Sequence, residues 1–293
     1  MEIKIYADAG SNLFDSLLKE KNAQVTIIPM TLDIEGKIYK CYEDNIDVES
    51  FSKGFYEELR AGKNVKTSLA NPNIFLDAFK KDVDEGNKII CFTLASGISG
   101  TYQSACIAAN QINDEKGEKV VHIIDSKTAS LGEGAQALYA YELVQKGLSF
   151  DEIIKACEER VSKVRSEFTV DDIRYLKKTG RVSAVVAKIA SLLNIKVLLK
   201  GNDEAKIVSF GKVHGRMMSI KTLAKTCLDH IVDKNQTIYI THCDAEEDAQ
   251  KLKDLLVAGG CKNVELYYYD LITGSHVGPG TLAVFYVGEN RNN

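Results

Sequence analysis

The chain has 293 residues, with 37 Lys and Arg against 41 Asp and Glu, for a formal net charge of −4. A hydrophobic fraction of 45% and a charged fraction of 27% belong to a folded globular chain, which excludes intrinsic disorder and collagen-like repeats. The acidic balance excludes nucleic acid as the main partner, because phosphate neutralisation needs a basic face. Seven cysteines are odd in number, form no Cys-x-x-Cys and have no zinc-ribbon spacing, so reduced thiols and no bound metal are expected. No run of 18 apolar residues occurs, and the start of the chain lacks a signal peptide's apolar region. A cytoplasmic location is the expectation.

Strands and helices alternate from the start. Residues 2–7 read as a strand and 11–21 as a helix. Short strands follow near 25–34 and 37–42, with a turn at Glu35-Gly36. Asp47 to Arg60 places Val48, Phe51, Phe55, Tyr56 and Leu59 on one helical side. Asn71-Pro72 is a sharp helix start, with Asn as cap and Pro at the first helical position. Lys88 to Leu94 is the apolar run of a buried parallel strand. A helix over 101–115, a strand over 119–124 and a helix over 129–147 continue the rhythm. Ser149 and Glu152 form a capping box that opens a helix to about Lys163.

Beyond residue 163 the rhythm changes. Strands near 166–170, 195–199 and 205–210 surround two short helices and a turn at Gly201-Asn202-Asp203. A helix over 216–231, a strand over 237–243 and a helix over 245–258 come next. Two strands, 263–272 and 281–287, close the chain, separated by a glycine-rich loop from Thr273 to Gly280. The pattern predicts an α/β protein of two domains. Residues 1–163 form a doubly wound N-terminal domain with a parallel sheet, and residues 164–293 a C-terminal α/β domain with a mixed sheet.

The densest chemical signal is Leu94-Ala-Ser-Gly-Ile-Ser-Gly-Thr-Tyr-Gln-Ser-Ala105. A buried strand runs through Ser96, Gly97, Ser99 and Gly100 into a helix, whose first N–H groups and small hydroxyls suit an anion. No lysine stands where a Walker-type loop needs one, and Gly97-Ile98-Ser99-Gly100 is one residue short of a nucleophile elbow. A carboxylate fits better than a polyphosphate. An ordinary glycine-rich turn with a hydroxyl cap explains the segment alone equally well. Thr67-Ser68, Ala7-Asp8-Ala9-Gly10-Ser11 and Asp125-Ser126-Lys127 lie at the same end of the sheet, where ligands bind in doubly wound folds. For Asp125, capping of the next helix is expected over orientation of the ligand loops. In the closing loop, His276 is placed to donate a hydrogen bond to a carboxylate or to act as acid or base. Arg174, Lys177 and Lys178 share a helix face that suits either solvent or an acidic partner.

Taken together, Thr67-Ser68 with Asn71-Pro72, Ser96 to Ala105, Asp125-Ser126-Lys127, Leu176 to Ser183 and His276-Val-Gly-Pro-Gly280 resemble the DegV family, in its order and over nearly the whole chain. The resemblance implies a two-domain α/β protein holding one long-chain fatty acid in a tunnel between the domains. It implies presentation of that acid to a fatty-acid kinase, which makes an acyl-phosphate for phospholipid synthesis. Carried over, Thr67, Ser68, Ser96 and His276 hold the carboxylate. Gly97, Ser99 and Gly100 shape the loop, and Arg181 engages the kinase. No cofactor beyond the bound fatty acid, no metal and no integral membrane segment are implied. Two departures stand out: Ala7-Asp8-Ala9 where the family has Thr-Asp-Ser, and Lys212-Val213-His214 where Lys-Val-Arg is common. The competing reading is a serine hydrolase or acyltransferase using Ser96 or Ser99 with His276. A sugar- or phosphate-binding regulator ranks third, since the loop holds no cation.

Overall fold

The computed structural model describes residues 2–42, 48–183 and 194–291. The first part of the chain holds β1 (Ile3–Asp8), α1 (Asp15–Glu20), β2 (Val25–Ile28), β3 (Met30–Ile34), β4 (Lys37–Cys41), α2 (Val48–Arg60) and β5 (Val65–Ser68). It continues with α3 (Pro72–Asp84), β6 (Lys88–Thr93), α4 (Thr101–Lys116), β7 (Val121–Asp125), α5 (Leu131–Gln145) and α6 (Phe150–Val161). Next come β8 (Val164–Thr169), α7 (Arg174–Lys178), β9 (Ile195–Gly201), β10 (Ile207–His214) and α8 (Arg216–His230). The last elements are β11 (Thr237–His242), α9 (Glu246–Ala258), β12 (Asn263–Tyr268), α10 (Leu271–Val277) and β13 (Leu282–Val287). The expected helix start at Asp47 and the second of the two short helices expected between 170 and 195 lie outside the described residues.

The first sheet is parallel throughout, in the order β2-β1-β6-β7. Its inner strand β6 is buried from Ile89 to Thr93, so the unbroken apolar run reflects cover on both faces. The second sheet is mixed, in the order β10-β9-β8-β13-β11-β12, with only β11 and β12 parallel. Helix α5 lies between the two sheets, touching β1, β2 and β6 on one side and β8, β11 and β13 on the other. That position explains its lack of a polar face: Leu131, Ala137, Leu138, Ala140 and Leu143 are all buried. One hydrophobic core therefore runs from Ile5 to Phe285 through both sheets. A second lies between the mixed sheet and α8 and α9. The caps read from the sequence are formed. The Asn71 side chain accepts from the Asn73 and Ile74 N–H groups, and Ser149 and Glu152 cap reciprocally.

Two segments differ from the sequence reading. Thr67-Ser68, expected at the end of the doubly wound sheet, belongs to β5, which joins β3 and β4 in a separate small antiparallel sheet. Val65-Lys66-Thr67-Ser68 has one apolar residue in four, so hydrophobic alternation does not reveal it; the ladder to β3 selects it. The segment read as strand to 272 and loop to Gly280 instead ends its strand at Tyr268 and forms α10. Asp270 caps this helix, accepting from Thr273 N at 2.7 Å. Position 274 is glycine because the helix passes against Tyr56, where a Cβ would lie 3.0 Å from Cζ.

The C-terminal segment is anchored by Arg291, which is 2% exposed. Its guanidinium donates to Val161 O at 2.6 Å, to Ser126 O at 3.4 Å and to Lys127 O. Replacing Arg291 by Ala is expected to lower unfolding stability by about 2 kcal/mol, as three buried carbonyls lose a charged donor. Urea titration checks this.

Candidate functional site

A cavity of about 410 Å³ opens between the two sheets, within the roughly 300–1,000 Å³ typical of small-molecule sites. Its wall is largely apolar, with Met30, Leu94, Phe168, Leu176, Ile272 and Phe285 among its residues. Polar groups enter from β5, the Leu94–Gly100 loop, the segment after β7 and α10, and also from Ser166 on β8, Arg181 and Lys206.

Two of these meet directly. Thr67 Oγ1 lies 2.9 Å from His276 Nε2, joining the edge strand β5 to α10. His276 Nδ1 is buried without a partner. A proton on Nδ1 would be an unsatisfied buried donor, so the favoured tautomer carries it on Nε2 and donates to Thr67. The Thr67 hydroxyl hydrogen is then free for a ligand oxygen in the cavity. Burial, and to a smaller degree the nearby Arg181 charge, lowers the His276 pKa to about 4, leaving the ring neutral near pH 7.

The loop after β6 supplies the second group. Ser99 Oγ accepts from Thr101 N at 3.2 Å and lies 2.8 Å from Thr101 Oγ1. When the threonine donates, the Ser99 hydrogen also points to a ligand. Ser96 differs: it is exposed, and its hydroxyl donates to Asp125 Oδ2 at 2.5 Å while its N–H donates to Asp125 Oδ1 at 3.1 Å. Asp125 also accepts from Lys127 N at 3.0 Å. It therefore orients the loop instead of capping the next helix, which begins six residues later at Leu131.

Of the residues expected from the sequence, Thr67, Ser96, Ser99, Gly100, Arg181 and His276 all line the cavity, whereas Ser68 and Gly97 do not. Thr67 and Ser68 are strand neighbours pointing to opposite faces, and Ser68 is the exposed one. Gly97 serves a close approach: a Cβ there would collide with Ala205 O and lie 2.7 Å from Glu204 O. Replacing Gly97 by Ala is expected to push the 202–205 turn from the loop and weaken ligand binding several-fold, read by titration. Arg181 is half-buried and donates to Thr179 O.

The two sequence departures fall away from the wall. Ala7 and Ala9 are fully buried, and Asp8 accepts from Gly10 N and Leu94 N, each at 2.8 Å, tying β1 to the ligand loop. Lys212 and His214 are exposed on β10. Asp125 takes the role the sequence ranks second, orientation of the loop, whereas Arg291 is not legible as a loop holder and reads as part of a polar tail. Among the described residues no group of three His, Cys, Asp or Glu side chains could hold a metal ion, and no helix is long and apolar enough to cross a membrane.

The hydrolase arrangement lacks its geometry. His276 Nε2 is engaged with Thr67, not with Ser96 or Ser99, and among the described residues no carboxylate bonds Nδ1.

Comparison with known proteins places this site in context. The family described as "Uncharacterised protein, DegV family COG1307" matches residues 2–289. A DegV domain-containing protein of Clostridium perfringens is 36% identical over 289 residues, covering 98% of each chain. Among solved structures, a fatty acid binding DegV family protein from Streptococcus agalactiae superposes with a TM-score of 0.84 at 26% identity, covering 99% of this chain and 100% of the other. The Streptococcus pneumoniae Fatty Acid Kinase (Fak) B3 protein, loaded with linoleic acid, has the same fold, with a TM-score of 0.83 at 20% identity and the same coverage.

Proposed function

Because the chain belongs to the DegV family, we propose that it binds a long-chain fatty acid in the cavity between its sheets and presents the carboxylate to a fatty-acid kinase. The Thr67–His276 pair in the wall of an otherwise apolar cavity carries this reading. Thr67 and Ser99 donate to the carboxylate, with His276 behind Thr67 fixing its hydroxyl. Ser96, engaged with Asp125, holds the loop at its place in the wall; Ser68 and Gly97 support the same two segments from outside it. Gly100 shapes the start of α4, and Arg181 faces the kinase at the rim. We divide the chain at residue 163, between α6 and β8, giving an N-terminal and a C-terminal domain around the ligand. The reaction belongs to the kinase; this chain contributes a carrier.

Magnitudes divide the work. Each buried methylene contributes about 0.8 kcal/mol, so a chain of about fifteen contributes roughly 12 kcal/mol gross. Ordering and association offset much of it. The head-group hydrogen bonds add about 1.5–3 kcal/mol each and prevent burial of an unpaired carboxylate. Affinity thus comes from the wall and orientation from the hydroxyls. Replacing His276 by Ala is expected to reduce acyl-phosphate formation with a fatty-acid kinase by about tenfold or more, as the Thr67 hydroxyl loses its fixed direction. Labelled ATP turnover with the purified pair reads this. Undiminished turnover would refute the assigned head-group site.

A further inference from the structure

Resting on the fatty-acid reading of the cavity, we propose that it is built for an acyl chain bearing a hydroxyl well along its length, and that Ser166 recognises that oxygen. Strand β8 alternates, so Ser166 and Phe168 share the cavity face while Arg165 and Glu167 pair on the other at 2.8 Å. An inward-facing position on a fully buried strand is where an apolar side chain is expected. Ser166 is 9% exposed, and its side chain has no hydrogen-bond partner among the described residues. The other five serine and threonine hydroxyls in the wall are engaged: Thr67 with His276, Ser96 with Asp125, Ser99 with Thr101, Thr128 with Ser126, and Thr273 with Asp270.

Position determines which part of the ligand meets this hydroxyl. Leu282 pairs with Thr169 at the end of β13 next to α10, which carries His276. Phe285 pairs with Ser166 three residues further along, about 10 Å at the rise of an antiparallel strand. Ser166 thus lies along the strand, away from the end nearest α10, in the stretch where we place the tail. Small size does not explain the residue, because alanine leaves the same room. A hydroxyl facing a plain hydrocarbon stays unpaired, which is unfavourable, whereas one facing an alcohol on the chain gains a partner. Phe168 and Phe285 line the cavity beside this position.

The test uses the full chain, freed of lipid, with octadecanoic acid and its 2-hydroxy and 10-hydroxy derivatives titrated against wild type and Ser166→Ala. Wild type is expected to bind the 10-hydroxy acid about tenfold more tightly than Ser166→Ala does, with octadecanoic acid bound no more weakly by Ser166→Ala than by wild type. Thermal melting of the two proteins confirms that the substitution preserves the fold. An unchanged preference in Ser166→Ala overturns the proposal, as does an equal gain with the 2-hydroxy acid, which places the contact at the head group. Failure of wild type to bind any of the three acids would instead overturn the fatty-acid reading itself.

Discussion

Replacing Thr67 by Val is expected to weaken fatty-acid binding roughly 10- to 100-fold, the loss of one hydrogen bond to a charged group. Valine keeps the shape of threonine, so β5 keeps its pairing with β3. What disappears is the hydroxyl bonded to His276 Nε2, the one the proposed site offers to the ligand. The imidazole N–H is then buried without an acceptor, adding a penalty that Thr67→Ser avoids. Titration of the lipid-free variants separates these cases: serine retains most of the affinity, and valine does not. Val at 67 combined with Ala at 276 costs less than the sum of the single changes, because each removes the same pair. An additive result would mean the two residues act apart.

The second large effect is on stability against pH, and it centres on three carboxyl groups buried near one another. Asp8 and Asp270 are 0% and 1% exposed, and Glu133 is 0% exposed. Burial, opposed by hydrogen bonds from Leu94 and Gly10, raises the Asp8 pKa to about 6. Burial also raises Asp270 from its ordinary 3.8 to about 7, against hydrogen bonds from Thr273. The Glu133 carboxyl is pushed up by burial and then by the Asp8 charge. For an acid whose folded pKa is raised, the native state binds more protons between the two values, so stability falls as pH rises through that window. For Asp270 the difference from 3.8 to about 7 amounts to about 4 kcal/mol, lost between about pH 4 and 7.

His276 works in the opposite sense. Its folded pKa of about 4 lies below the ordinary 6.5, so the unfolded chain binds more protons in between. Its contribution is therefore lost as pH falls from about 6.5 to 4. Over the shared window the three carboxyl groups outweigh the single histidine, so the net effect of these four groups is stability that falls as pH rises toward neutrality. Replacing Asp270 by Asn keeps the acceptor that caps α10 at Thr273 N and removes the ionisation. Chemical denaturation at pH 5.5 and pH 8 is expected to show Asp270→Asn gaining on wild type at the higher pH. An identical difference at both would contradict the assignment.

The two expectations draw on different amounts of sequence information. Strand β6, the Asn71 cap and the Ser149–Glu152 box follow from local chemistry, because each is decided within a few residues. The ligand loop from Leu94 to Gly100 is legible for the same reason: glycines and hydroxyls between a buried strand and a helix have few uses. Strand β5 and helix α10 depend on distant partners, Leu32 across the ladder and Tyr56 against Gly274, which no local pattern records. So does the distinction between the two loop serines. It is Asp125, 29 residues away, that engages Ser96 and leaves Ser99 as the available donor. Arg291 is the extreme case. It lies 130 residues from the Val161 carbonyl it holds, in a segment of polar residues. Local motifs mark the loop, and long-range packing decides which partner each of its hydroxyls takes.

The central claim is that the cavity holds a fatty acid. Mass spectrometry of a denaturing extract of the purified protein addresses it most directly, supported by reloading of the lipid-free chain. The account predicts one fatty acid released per chain and stoichiometric rebinding. An extract without fatty acid, from a protein that also refuses added fatty acid, would contradict it.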